Sequence, residues 1–182
     1  IFDISAIGIG NSGDGKVLSG KYVYKLSVLD DGHTDEKLLF TKIGITNAEA
    51  LTGLPKAIYD KSSSYTMTGD EKIDAWLADS STGETDGGKL LADITVKGNG
   101  FDIDGNSNAG FVVNQNRTLN LEDVANLGDF ESADWEGGSI HNEGTTKVVA
   151  NNSDVNFGLS TDSTGNNAIY NTGDLYLTTD ED

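Results

Sequence analysis

The 182-residue chain contains no cysteine, which removes disulfides, thiolate nucleophiles and cysteine-held metals together. It has one proline, Pro55, and one arginine, Arg117. Basic residues number 12 against 30 acidic ones, a formal charge of −18. Neutralising phosphates needs clustered cations, so nucleic acid and anionic membrane surfaces are poor partners for this chain. No run approaches the ~20 apolar residues that cross a bilayer, so this segment is not expected to insert into a membrane. No basic-then-apolar signal segment stands at Ile1. The only two histidines, His33 and His141, are far apart and lack an H-x-x-x-H spacing, which leaves zinc without a ligand set. A Gly-x-Ser-x-Gly elbow is missing. The glycine-rich stretch Gly8–Gly15 lacks a Gly-Lys-Ser/Thr ending and carries Asp14, which repels phosphate.

What the chain does have is glycine, 23 residues of it, and a pattern that appears three times. It reads Gly110-Phe-Val-Val-Asn114-Gln-Asn-Arg-Thr-Leu-Asn-Leu121, then Gly138-Ser-Ile-His-Asn142-Glu-Gly-Thr-Thr-Lys-Val-Val149, then Asn167-Ala-Ile-Tyr-Asn171-Thr-Gly-Asp-Leu-Tyr-Leu-Thr178. The asparagine steps are 142 − 114 = 28 and 171 − 142 = 29 residues. A fixed period of roughly 20–50 residues with one supersecondary unit per copy marks a solenoid. Each copy holds two β-rich runs around an Asn-centred turn and no helical periodicity, which predicts a parallel β-helix.

Stacking at ~4.8 Å per coil then predicts an inward column Val112–Ile140–Ile169 beside an amide ladder Asn114–Asn142–Asn171. Leu119 and Leu121 fall one residue out of parity with Thr146/Val148 and Leu175/Leu177, as one extra residue in the turn Asn114–Arg117 would cause. Ile94–Val96, Phe101–Ile103 and Val155–Phe157 alternate as half-buried strands do. Gly98–Gly100, Asp104–Asn106 and Ser163–Gly165 punctuate them as turns. Glu122–Gly137, with a helical turn over Leu121–Leu127, reads as a loop bulging from a coil.

Upstream, Ile1–Ile9 reads as a strand and Asn11–Gly15 as a turn. Val17–Leu29 alternates up to Asp30-Asp-Gly-His33, and Leu38–Ile45 returns as the second arm of a β-hairpin. Thr46–Gly53 reads as one helical turn, capped by Thr46 or Asn47 and stopped by Gly53 and Pro55. Ile73–Leu77 brings Trp76 to a small core with Tyr22 or Tyr24. Ser80–Gly88 is polar and turn-forming, and it sets the expected boundary. Residues 1–88 form a β-rich N-terminal cap or head, and residues 89–182 the β-helix coils. An open β-helix end exposes unpaired backbone. Asp182 follows the third copy directly, so the natural protein is expected to continue with further coils.

The run Asp93-Ile-Thr-Val-Lys-Gly-Asn-Gly-Phe-Asp-Ile-Asp104, the Arg-Thr-Leu-Asn-Leu-Glu-Asp-Val124 run and the two Asn-centred turns after it resemble the passenger region of bacterial autotransporter adhesins, with repeats like those of polymorphic outer-membrane proteins. The resemblance covers about half of the chain, from Asp93 onward. It implies an all-β, right-handed parallel β-helix, secreted or held at the bacterial cell surface, and brings no catalytic residues.

Asp102 and Asp104 lie two apart and share a strand face, the arrangement of an acid and a base across a sugar. With 30 acids such spacing also arises by chance, as a solvated face. Asp102, Asp104 and Asn106 faintly echo calcium loops and form a candidate weak calcium site. The repeat-toxin nonapeptide does not recur in tandem, and the EF-hand pattern fails at Ser107 and Val113. No other cofactor is expected. Trp135, Tyr170 and Tyr176 lie in or near turns of the solenoid. They are candidate binding aromatics, with packing between coils as the alternative role. Together these features lead to an adhesin-like, non-enzymatic segment that binds a host-surface protein or glycan, or a second copy of itself. A carbohydrate-active β-helix enzyme and a plain spacer are the rivals.

Overall fold

The computed structural model describes residues 15–19, 22–29, 37–78, 87–130, 137–151, 155–157 and 167–179. The expected strand Ile1–Ile9 and the turns Asp30–His33 and Ser163–Gly165 lie outside these residues. The chain divides into two compact units, Ile1–Leu51 with Ala75–Thr85, and Thr52–Asp74 with Asp86–Asp182.

In the first unit, β1 (Gly15–Ser19), β2 (Tyr22–Leu29) and β3 (Lys37–Ile45) form an antiparallel sheet in that order. The hairpin of β2 and β3 is the expected one. The run Val17–Leu29, however, is two strands, with Ser19 paired to Tyr22 in an antiparallel register. A 3₁₀ turn, Ala48–Ala50, follows, with the Asn47 side chain accepting from the Glu49 N–H at 3.0 Å. Ile45, Leu51 and Ala75 form a buried cluster on which Tyr22, Ala48, Ala50 and Leu77 pack. Trp76 is buried; its backbone holds the cluster, since Trp76 O accepts from Ile45 N at 2.9 Å. Ala75 and Leu77 are the neighbours that join Tyr22 there.

The second unit begins with a short helix, α1 (Gly53–Tyr59). Gly53 and Pro55 do not stop a helix but start one. Proline is tolerated in a first turn, where its missing N–H has no intrahelical partner. Glu71 secures this start, with Oε1 accepting from Leu54 N at 3.0 Å and Oε2 from the Tyr65 hydroxyl at 2.8 Å.

Short parallel strands then wind through three sheets. They are β4 (Ser64–Thr66), β5 (Glu71–Lys72), β6 (Gly88–Lys89), β7 (Ile94–Lys97), β8 (Asp102–Asn108), β9 (Phe111–Val113), β10 (Thr118–Glu122), β11 (Asn126–Phe130), β12 (Gly137–Asn142), β13 (Thr145–Ala150), β14 (Asn156–Phe157), β15 (Asn167–Asn171) and β16 (Asp174–Thr179). The sheet orders β16-β13-β10-β7-β4, β14-β11-β8-β5 and β15-β12-β9-β6 show every third strand stacking in sequence. The fold is a parallel β-solenoid, with three complete circuits from β7 to β16.

Four expectations change. The solenoid starts upstream of residue 89, because β4 and β5 pair in parallel with β7 and β8, and Gly88–Lys89 is itself one of its strands. Strands of two or three residues carry too little alternation to be read from sequence. As far as Phe130, the segment after Glu122 is neither a loop nor a helical turn: Asp123, at φ +50, turns a corner, and β11 pairs with β8. The inward column is Phe111–Ile140–Ile169, with Val112 facing outward beside His141. Asn142 stacks on Val113, not on Asn114, while the ladder continues from Asn142 to Asn171.

The turn Asn114–Arg117 consequently holds two residues more than its successor Glu143-Gly144, not one. Val113 pairs with Asn142 before it and Thr118 with Thr145 after it. Leu119 and Leu121 thereby fall in register with Thr146 and Val148, and then with Leu175 and Leu177. The inner columns are largely apolar. Phe111, Val113, Leu119, Leu121, Leu127, Phe130 and Ile140 are fully buried.

Candidate functional site

Because Leu119, Leu121, Thr146, Val148, Leu175 and Leu177 occupy one parity of β10, β13 and β16, their neighbours form the other face of the sheet. In-register pairing lines these neighbours up in three columns. They are Thr118–Thr145–Asp174, Asn120–Lys147–Tyr176 and Glu122–Val149–Thr178. The middle column continues downward through Thr95 to Ser64, and Asn120 Nδ2 donates to Thr95 Oγ1 at 3.1 Å.

Thr118, Thr145, Lys147, Val149, Tyr176 and Thr178 line a shallow open groove of about 480 Å³. Half of the Tyr176 side chain is exposed (50 %). Lys147 is exposed above the Asn120 amide, and no described residue forms an ion pair with it. The groove therefore presents a ring face, three threonine hydroxyls and one ammonium. These are groups that hold a polar ligand by stacking, hydrogen bonding and charge.

The sequence-derived candidates do not converge. Tyr176 lies in the groove. Tyr170 stands on another sheet, in the column Lys89–Val112–His141–Tyr170. Its ring lies 5.0 Å from that of His141 at 58°, and His141 Nε2 is 3.3 Å from Glu143 Oε1. Tyr170 thus packs against His141 on the outer face of that sheet, away from the groove. Trp135 lies outside the described residues.

Asp102 and Asp104 share the outer face of β8, as their spacing predicts, with Ile103 buried between them. Asp104 is engaged on both oxygens: Oδ1 accepts from Asn106 N at 2.7 Å and Oδ2 lies 3.2 Å from Lys72 Nζ. Asn106, at φ +50, donates from Nδ2 to Ile73 O at 3.2 Å. Asp102 N donates to Asp70 Oδ1 at 3.1 Å. These contacts brace β8 against the coil below. Among the described residues no group of three or more His, Cys, Asp or Glu side chains is placed to hold a metal ion.

Thr118, Thr145 and Lys147 carry no signal in the linear sequence. Only stacking brings them together, and the asparagine alignment sets Thr118 one residue away from its true partner. In comparisons with protein-family models, with curated proteins and with solved structures, the chain matches none.

Proposed function

We propose that the chain is a non-catalytic, adhesin-like segment of a secreted or cell-surface bacterial β-helix. On this reading it holds an extended polar ligand, a host glycan or a host protein, on the outer face of β10, β13 and β16. The observation that carries the proposal is the exposed Tyr176 ring in register with Lys147 and flanked by threonine hydroxyls along one groove. A rigid parallel stack repeats such groups at ~4.8 Å, which suits a ligand lying along the solenoid. The resemblance to autotransporter passenger regions agrees with this reading.

The test is a glycan array with a parallel cell-binding assay, and reducing-sugar release measured on the same panel. Binding without turnover is expected. Tyr176→Ala should weaken it about tenfold, equivalent to ~1.4 kcal/mol, and Lys147→Ala by a similar factor for acidic ligands. Sugar release abolished by Asp102→Asn would overturn the reading in favour of an enzyme. No binding anywhere on the panel would leave a spacer.

A further inference from the structure

Stacking decides which lysines of the solenoid meet a carboxylate. Lys72 lies in register with Asp104 on the next coil, and the two pair at 3.2 Å. Lys97 has Glu122 in the same position. Lys147 differs. It stands on β13, a strand with neighbours on both sides, and its column partners are Asn120 below and Tyr176 above, both uncharged. Asn120 turns Nδ2 down to Thr95 Oγ1, and its buried Oδ1 accepts no hydrogen bond among the described residues. A neutral amide therefore occupies the place where Lys72 and Lys97 meet an acid. In a chain of net charge −18, an ammonium left without such a partner is a local point of attraction for an anion.

The surroundings of Lys147 limit that attraction to one anionic group. Asp174 and Glu122 stand diagonally above and below it, in the two flanking columns. A second negative group beside the first would face one of these carboxylates. Along the column itself the groups are neutral, with Tyr176 on one side and Asn120, Thr95 and Ser64 on the other. A ring face, an amide and two hydroxyls suit uncharged polyhydroxy units. Taking the groove as the ligand site proposed above, we infer that its ligand is a glycan with one acidic sugar set among neutral ones. The acid group lies on Lys147, a neutral sugar ring stacks on Tyr176, and the chain runs along the column past Asn120. Uronic-acid polymers and heavily sulfated chains are repelled by Asp174, Glu122 and the net charge.

Calorimetric titration of the full chain tests this with matched probes. Lactose is compared with sialyllactose, and xylotriose with xylotriose carrying one glucuronic acid branch; tetragalacturonate is the polyacid. The singly acidic member of each pair should bind about five- to tenfold more tightly than its neutral partner. The polyacid should bind more weakly than either singly acidic probe, and added salt should narrow the margin within each pair. Lys147→Met keeps the aliphatic stem and should erase that margin. Asn120→Asp copies the Lys72–Asp104 arrangement beneath Lys147 and should erase it as well, with the ammonium still present. The readout is the ratio within a pair, so a general loss of affinity does not mimic the effect. Both variants should keep the parent circular dichroism spectrum. Equal affinity within both pairs, or tightest binding of tetragalacturonate, overturns the proposal and leaves the ligand reading in place. So does a preference that survives both variants. No binding of any probe, acidic or neutral, overturns both.

Discussion

Asn142 is fully buried, and each end of its amide is used. Its Nδ2 donates to Asn171 Oδ1 at 2.6 Å and to Asp174 O at 2.9 Å, and its Oδ1 accepts from Thr146 Oγ1 at 3.0 Å. The coil beneath shows the apolar solution at the same two column positions, Val113 and Leu119. Asn142→Val should fit sterically yet strand the buried Thr146 hydroxyl, costing about 1–3 kcal/mol. Adding Thr146→Leu should recover much of that loss, and urea denaturation of the two single variants and the double variant measures the coupling. Tyr65 is the second residue with a sharp expectation. Burial, then its hydrogen bond to Glu71, then the Glu71 charge push its pKa from 10.0 up to about 12. The protonated phenol is the form the fold favours. Its contribution is therefore complete below pH 10.0 and is lost as pH rises through about 12. Tyr65→Phe should lower stability at neutral pH and flatten its fall across that alkaline window. Tyrosinate absorbance followed alongside denaturant melts checks both.

The turn between β9 and β10 shows how an element tolerates length but not parity. Asn114–Arg117 closes a corner that Glu143-Gly144 closes with two residues fewer, and Asn116 at φ +63 absorbs the difference. Replacing Asn114–Arg117 by Glu-Gly should leave β10 in register and change stability by less than about 1 kcal/mol, since loop length costs little. Deleting one residue there should instead turn Leu119 and Leu121 outward, because side chains alternate with a period of two. The expected result is loss of cooperative unfolding for the single deletion and its retention for the swap. The glycine in the shorter turns answers to contact: a Cβ on Gly173 would lie 2.2 Å from Gly144 O. That is why Gly recurs after the asparagine in these two copies.

Across the molecule, the acidic excess of −18 opposes the close approach of copies, and salt screens that repulsion. Of the two acids on β8, Asp104 is engaged with Lys72 and with the Asn106 N–H. Calcium should therefore promote association no more than monovalent salt does at matched ionic strength. Static light scattering compares the two directly. Growth in mass with calcium alone would assign a cation-bridging role to the oxygen-rich stretch from Asp102 to Asn108.

The sequence by itself determined the architecture. A repeat near 29 residues, two-residue alternation and glycine-rich turns in a cysteine-free acidic chain admit little besides a parallel β-solenoid, because only stacked coils bury one face of every short strand. It also determined the Asn142–Asn171 ladder and the shared outer face of Asp102 and Asp104, both of which follow from local spacing. Register was left to the tertiary structure. Asn114 and Val113 are both compatible with a bend, and a one-residue choice between them exchanges the inner and outer faces. Packing against Ile140 put Phe111 inside and Val112 outside. The same holds for the strands β4 to β6, too short to show a pattern, and for the groove. Thr118, Lys147 and Tyr176 belong to three successive coils, and they become neighbours only when backbone hydrogen bonding between coils settles which residue stacks on which.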